Sequence, residues 1–226
     1  MAMAMRADHK HNYAMQTTDR GKLLRLPQRG SRELEVIHGI LDAGFLAHIG
    51  FQQEGQPFVI PTLYGRQDER LYLHGSTASR MLRQLATGAP ACVTVTLVDG
   101  LVLARSAFHH SMNYRSVVAF GTAQLLEAPE QKLAALRIIA EHAIPGRWNH
   151  TRPPSEREIN LTRVLEFTME EATAKQRSGP PLDEEEDYEL DYWAGVVPLT
   201  LTAGTPIADA RLPPGKPVPN HLKWKR

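Results

Sequence analysis

Residues Leu71 to Arg83, LYLHGSTASRMLR, gather the groups in this chain best suited to hold an anion. A short alternating segment (Leu71, Tyr72, Leu73) ends at His74 and Gly75. The hydroxyls of Ser76, Thr77 and Ser79 follow, and Arg80 opens a helical pattern through Met81, Leu82 and Leu85. That order predicts a strand, a tight turn and a helix N-terminus. Backbone N–H groups without an intrahelical acceptor, hydroxyl donors and an arginine together suit a phosphate. The same residues also make an ordinary capped helix, and their chemistry leaves both readings open. A second polar set, HHSMNYRS at 109–116, interrupts apolar sequence. Buried polar groups need hydrogen-bond partners, and a bound ligand can supply them.

Other catalytic signatures are missing. The chain has no GxxxxGK[ST] or GxGxxG run, no CxxC or HExxH pair and no GxSxG elbow. His109 and His110 are adjacent, and neighbours on a strand face opposite ways, so they are poorly placed to share an ion. No metal site is expected. The single cysteine, Cys92, excludes an intramolecular disulfide and lies in an apolar run, where a buried, inert thiol is expected.

The elements that must position these groups read mostly as strands. Ser31 can cap a helix carrying Leu34, Ile37 and Leu41, which closes at Gly44. Phe45–Phe51 and Pro57–Tyr64 flank a hairpin turn at Glu54-Gly55. The second of these strands is apolar on both faces, which predicts burial on both sides. Pro61 has no N–H to donate, so its edge is open or bulged; a ligand and a plain bulge fit equally well. A helix over 78–87 ends at Gly88, ahead of Pro90.

Ala91–Val98 is β-branched and alternating, Asp99-Gly100 reads as a turn, and Leu101–Ala107 and Val117–Leu126 read as strands. Pro129 starts a helix that Pro145-Gly146 stops, and Ser155 caps a short one. Arg163–Met169 is a further strand. The acidic run Asp183–Asp187 is expected to be a solvated loop, and a last strand starts near Gly195. Six or more strands and three or four helices, without regular β-α-β alternation, predict a mainly β antiparallel barrel with peripheral helices.

Length and composition narrow the function classes. The 226 residues are 42% hydrophobic and 23% charged, with a formal net charge of +1. One domain with a full core is expected, and neither nucleic acid nor a membrane surface is an expected partner. No run approaches the roughly 20 apolar residues of a membrane span, and a cytoplasmic protein is expected. Residues 1–20 read as a disordered, loosely basic arm, 21–210 as the folded domain and 211–226 as an extended tail.

The segments QPFVIPTLYG, LYLHGSTASRML and FHHSMNYRSVVAFG, in this order, resemble the FMN-binding split-barrel superfamily of pyridoxamine 5′-phosphate oxidase-like proteins. Within it they are most similar to the flavin-nucleotide-binding branch that includes Nim-type nitroimidazole-resistance proteins. The resemblance implies a six-stranded split barrel and a homodimer with FMN at the interface. It places the phosphate turn on His74, Gly75, Ser76, Ser79 and Arg80, with Ser79 and Arg80 as phosphate ligands. It puts Ile60, Pro61 and Thr62 beneath the flavin ring. Ser111, Asn113, Tyr114, Arg115 and Ser116 would complete the site, in part from the second subunit. His74 falls beside the ring, and Trp193 walls the pocket. The oxidase's own substrate-phosphate residues and basic C-terminal signature have no clear counterpart here.

The implied activity is an FMN-dependent oxidoreductase acting on a small nitroaromatic or quinone-like substrate. FAD is an alternative flavin. A flavin carrier or haem-binding barrel, with His74, His109 or His110 on the iron, is the alternative to an enzyme.

Overall fold

The computed structural model describes residues 18–222. Its strands are β1 (Gly30–Ser31), β2 (Leu46–Gln53), β3 (Gln56–Leu63), β4 (Gly65–Gln67), β5 (Arg70–Ser76), β6 (Ala91–Leu103), β7 (Ser111–Leu125), β8 (Thr162–Arg177) and β9 (Gly195–Pro198). Its helices are α1 (Leu34–Ala43), α2 (Arg80–Leu85), α3 (Pro129–Ala143) and α4 (Glu156–Leu161). All strand pairings are antiparallel, in the order β3-β2-β6-β7-β8-β5-β4, with β1 added to β8 and β9 to β6. The six long strands among the described residues form the split barrel, and the helices lie at its periphery, as the sequence predicts.

The period-two side-chain pattern builds the interior. Val93 and Val95 of β6, Val117 and Ala119 of β7 and Leu165 and Phe167 of β8 are buried in one core, closed by Ile37 and Leu41 of α1 and by Leu82 of α2. A smaller cluster lies on the other face of β5 and β8. There Tyr72 and Val164 are covered by Ala135 and Ile139 of α3. Gly65 lets α3 sit directly on β4: a Cβ at that position would lie 2.7 Å from the Ile139 nitrogen.

Several local expectations change. Residues 91–103 form one strand, and Asp99-Gly100 is a register shift within it rather than a turn. Gly100 lies against β9, where a Cβ would come within 2.9 Å of the Val197 carbonyl oxygen. The polar set 111–116 is the first part of the long strand β7, not a link between strands. β8 continues to Arg177, well past Met169. β3 is the edge strand, as Pro61 suggests, but it is not buried on both faces: Phe58 and Ile60 pack against the core, whereas Val59 is 67% exposed.

The acidic run is also more than a solvated loop. Burial opposes ionisation of Asp183, but N–H bonds from Arg105 and Ser106 and the Arg105 guanidinium outweigh it and hold the carboxyl below its usual range. Arg105 in turn lies over the Tyr188 ring, 4.9 Å from its centre. These contacts fasten the start of the C-terminal segment to the end of β6. At the other terminus, Thr18 and Arg20 bind Glu171 of β8, so these residues are docked rather than part of a free arm. Residues 1–17, with most of the predicted arm, and 223–226 of the predicted tail fall outside the described range. Among the described residues no helix is long and apolar enough to cross a membrane.

Candidate functional site

The turn after β5 forms as predicted. Ser79 caps α2, its Oγ accepting from the Leu82 nitrogen at 3.4 Å, and Ser76 Oγ accepts from the Ala78 nitrogen at 3.2 Å. The Ser79 nitrogen donates to the Ser76 carbonyl and the Thr77 nitrogen to the Leu161 carbonyl. Much of the backbone donor capacity of this turn is therefore already used. What it still offers an anion is the hydroxyl protons of Ser76, Thr77 and Ser79 and the Arg80 guanidinium. Arg80 is exposed, makes no ion pair among the described residues, and lies 4.9 Å from the centre of the Phe58 ring on β3. That cation–π contact joins the turn to the edge strand.

His74 is paired with Val164 across the β5–β8 ladder, so its ring lies on the sheet face that α3 covers. Burial pushes the imidazole below its ordinary pKa. Its Nδ1 is buried and has no hydrogen-bond partner. A neutral, desolvated imidazole with an unused nitrogen is suited to one directed hydrogen bond with a ligand heteroatom.

On β3 the three predicted residues divide between faces, as strand alternation requires. Ile60 opposes Ile49 and Thr62 opposes Ala47, and both Ile49 and Ala47 are core residues. Pro61 lies on the outer face with Val59 and Leu63, opposite His48, Gly50 and Leu46. Leu46, Val59 and Leu63 are exposed. Pro61 therefore presents an apolar, uncovered face, whereas Ile60 and Thr62 present mainly backbone to anything that binds there.

The β7 polar set finds most of its partners inside the chain. Arg115 makes a two-point ion pair with Asp99, at 2.9 and 2.8 Å. Ser116 Oγ donates to the Lys175 carbonyl at 3.1 Å. Asn113 accepts from the Arg177 guanidinium and donates to the Gly179 carbonyl at 3.1 Å, and Arg177 also holds the Pro180 carbonyl. Asn113 and Arg177 thus clasp the chain where it leaves the barrel. Ser111, exposed at the start of β7, and the half-buried Tyr114 make no side-chain hydrogen bond among the described residues.

The turn and β3 come together, but the β7 set lies elsewhere. His74 pairs with Val164 at one end of β8, and Ser116 pairs with Lys175 at the other. Those two positions are separated by roughly 35 Å of extended strand. Trp193 precedes β9 and is 69% exposed, with its ring against Gly195.

A further constellation lies between the end of α3 and the C-terminal segment. His150 and His221 stack with ring centres 4.3 Å apart, beside Arg147. Nothing in the local sequence singles these residues out, because His150 falls in an irregular loop and His221 in a proline-rich tail. Only the fold brings them together.

The geometry can be set beside known proteins. A flavocytochrome, Anf3 from Azotobacter vinelandii, is 40% identical, over 92% of this chain and 97% of its own, with a TM-score of 0.86. An FAD and heme binding protein from Mycobacterium smegmatis is 36% identical, over 86% and 96%, with a TM-score of 0.83. A candidate 5-nitroimidazole antibiotic resistance protein from Bacteroides thetaiotaomicron shares the fold at 24% identity and a TM-score of 0.54, over 65% and 85%. No match was found among curated proteins. The family model described as pyridoxamine 5′-phosphate oxidase matches residues 33–176, which span the barrel from α1 to β8. With more than half the chain matched, and two solved relatives above 30% identity along most of its length, the chain belongs to the pyridoxamine 5′-phosphate oxidase family.

Proposed function

We propose that this chain is a flavin-nucleotide-binding redox protein that also takes up haem. The observation that carries the reading is the pair of relatives at 40% and 36% identity, one a flavocytochrome and the other an FAD and heme binding protein. The description of the Mycobacterium smegmatis relative as an FAD binder favours FAD over FMN. The residues fit a flavin nucleotide on two counts. Arg80 offers a cation that makes no ion pair among the described residues, beside hydroxyl donors, and the buried His74 Nδ1 lacks a partner.

In this reading Arg80 and the hydroxyls of Ser76 and Ser79 hold the phosphate, His74 donates to or accepts from the ring system, and Pro61 supplies an apolar surface for a flat ring. When bound, the flavin supplies the electron-transfer chemistry, and the protein supplies position and electrostatics. A reduced nicotinamide as donor and a quinone-like or nitroaromatic acceptor balance as a two-electron oxidation and reduction. The working unit is a homodimer. The outer face formed by Leu46, Val59, Pro61 and Leu63 is apolar and uncovered in one chain. A flavin that used both the turn and the Ser111–Tyr114 end of β7 would take them from two copies.

The absorbance spectrum of freshly purified protein tests this directly. Flavin bands are expected, and chromatography of the released cofactor identifies it. Protein that shows no flavin bands, and none after addition of FAD or FMN, refutes the reading. Arg80→Ala should weaken flavin binding by about 1.5–3 kcal/mol, the worth of a charge-assisted hydrogen bond. Unchanged affinity would remove Arg80 from the phosphate site.

A further inference from the structure

The far end of β8 borders a cavity that the turn after β5 does not share. It holds about 490 Å³, in the range of small-molecule pockets, and lies where β1 and the short turn Pro27–Arg29 meet the end of β8. Arg29 lines it from the turn and Arg177 from β8, with Ser31, Gln176 and Ser178 as further polar side chains. No acidic residue lines it. Leu26, which precedes the turn, is held in the left-handed region at φ 54°, a conformation that leucine adopts only when its surroundings impose it.

The positive charge in this cavity is uncompensated. Arg177 gives guanidinium protons to the Asn113 side chain and to the Gly179 and Pro180 carbonyls, all neutral acceptors. These contacts fix the guanidinium without neutralising it. The ionisable groups that act on it are Arg29 and Tyr114, and neither is a carboxylate. Burial, and then the charge of Arg29, push Arg177 below its ordinary pKa. Arg29 makes no ion pair and no side-chain hydrogen bond among the described residues. Lys175, paired with Gly30 across the β1–β8 ladder, is a third cation nearby, and its Nζ also rests on a carbonyl, that of Arg25, at 3.0 Å. Neutral donors are unused as well. The side chains of Gln176 and Ser178 make no hydrogen bond among the described residues, and Ser31 Oγ accepts from the Glu33 nitrogen at 3.2 Å, which leaves its proton available.

We propose that this cavity binds a small phosphate-bearing anion, with Arg29 and Arg177 on its oxygens. A phosphate brings up to two negative charges and at least three acceptor oxygens in one compact group, which matches two cations and several unused donors. A single carboxylate would answer one guanidinium only. The cavity is larger than a bare phosphate needs, and its apolar side, formed by Pro180 and Leu182, suits the organic part of an ester. The inference does not rest on the flavin reading. His74 pairs with Val164, and roughly 40 Å of extended β8 separates that position from Arg177.

Titration of the full-length protein with inorganic phosphate at constant ionic strength, followed by amide nuclear magnetic resonance shifts, tests the site. Saturable shifts are expected at Gly30, Ser31 and Ser178. Sulfate, a dianion of the same shape, should reproduce them, and acetate should bind at least tenfold more weakly. Arg29→Gln should weaken phosphate binding roughly tenfold or more, as expected for a lost charge-assisted contact. Arg29 takes no part in the Asn113–Arg177 clasp, so the far-ultraviolet circular dichroism spectrum should be unchanged. Arg80→Ala should leave the phosphate shifts at these three positions as they are. No saturable shift in the wild-type chain overturns the proposal, as does acetate binding as tightly as phosphate or full affinity in Arg29→Gln. Loss of bound flavin, or a change of oligomeric state, in Arg29→Gln would also overturn it, by making the cavity part of the flavin site or of an interface between copies. A wild-type chain that binds phosphate here but takes up no flavin would refute the functional reading and leave this site standing.

Discussion

Gly65→Ala tests whether α3 holds both the fold and the environment of His74. At Gly65 an added Cβ would lie 2.7 and 2.8 Å from the nitrogen and Cα of Ile139 and 2.9 Å from the carbonyl carbon of Ile138. Ordinary carbon contacts begin near 3.5 Å, so the helix must retreat by about 0.7 Å. All three atoms are helix backbone, which cannot move aside as a flexible side chain can. A gap of that size forfeits a quarter to a half of each dispersion contact that α3 makes with Tyr72 and Val164. Replacing glycine also restricts the unfolded chain, an opposing gain of about 0.4–1 kcal/mol. Overpacking of this kind costs about 1–3 kcal/mol, and with rigid backbone on the receiving side the clash wins. The expected net destabilisation is about 2 kcal/mol, a fall in Tm of roughly 4–8 °C for a chain of this length.

Urea unfolding gives the first readout, as a lower midpoint at unchanged slope. The second is the nuclear magnetic resonance titration of His74, whose pKa should rise toward its ordinary value as water enters beneath the lifted helix. Stability within 0.5 kcal/mol of wild type, together with an unmoved His74 titration, would refute the claim that α3 is seated on Gly65 and seals that face.

Three other perturbations bear on the ends of the chain. Glu171 is held down to about 2 by the Thr18 nitrogen and by Arg20, from an ordinary 4.5, although burial opposes this. A depressed carboxyl contributes stability above its unfolded pKa and loses it as pH falls toward the folded value. Glu171→Gln should therefore flatten the acid-unfolding profile between pH 4.5 and about 2, and an unaltered profile would discount the Thr18–Arg20 clasp. Asp183→Ala removes the acceptor of the Arg105 and Ser106 nitrogens, so trypsin should cut after Arg211 sooner than in wild type; an identical digestion course would mean the segment is held elsewhere. Gly146 has φ +82°, where an alanine is strained by about 1–2 kcal/mol, and its Cβ would press on His221. Gly146→Ala should unstack the histidine pair, seen as a loss of mutual ring-current shifts, and retained shifts would count against the packing described.

What was legible in the sequence was set by short-range chemistry. Ser79 capping α2, Gly88 ending that helix region at φ +78°, and the Ser155–Glu158 capping box all depend on residues a few positions apart. The hairpin at Glu54-Gly55 needs two consecutive left-handed residues, at φ 53° and 77°, and the dipeptide says so. Asp99-Gly100 carries the same local signal, yet there pairing with β7 and β9 overrides it and keeps β6 continuous. The length of β8 was hidden because Glu171 and Thr173 are polar but buried. Their partners, Thr18 and Gly21, lie near the other end of the chain. The polar residues Asn113, Arg115 and Ser116 need partners, and the chain itself supplies them. Sequence had no means of showing that Arg177, Asp99 and Lys175 would be those partners.

The distribution of used and unused polar groups separates structural from ligand-binding positions. Asn113 and Arg115 have their hydrogen-bonding capacity spent on the chain itself, so replacing them should act first on the strap after β8 and on the β6 bulge. His74 keeps a buried nitrogen without a hydrogen-bond partner, and Arg80 is exposed and makes no ion pair among the described residues. An unpaired buried nitrogen costs about 1–3 kcal/mol, which a ligand that hydrogen-bonds to His74 Nδ1 would offset. The turn has the complement of a phosphate with a flat ring attached: hydroxyls and one exposed cation beside an apolar edge strand.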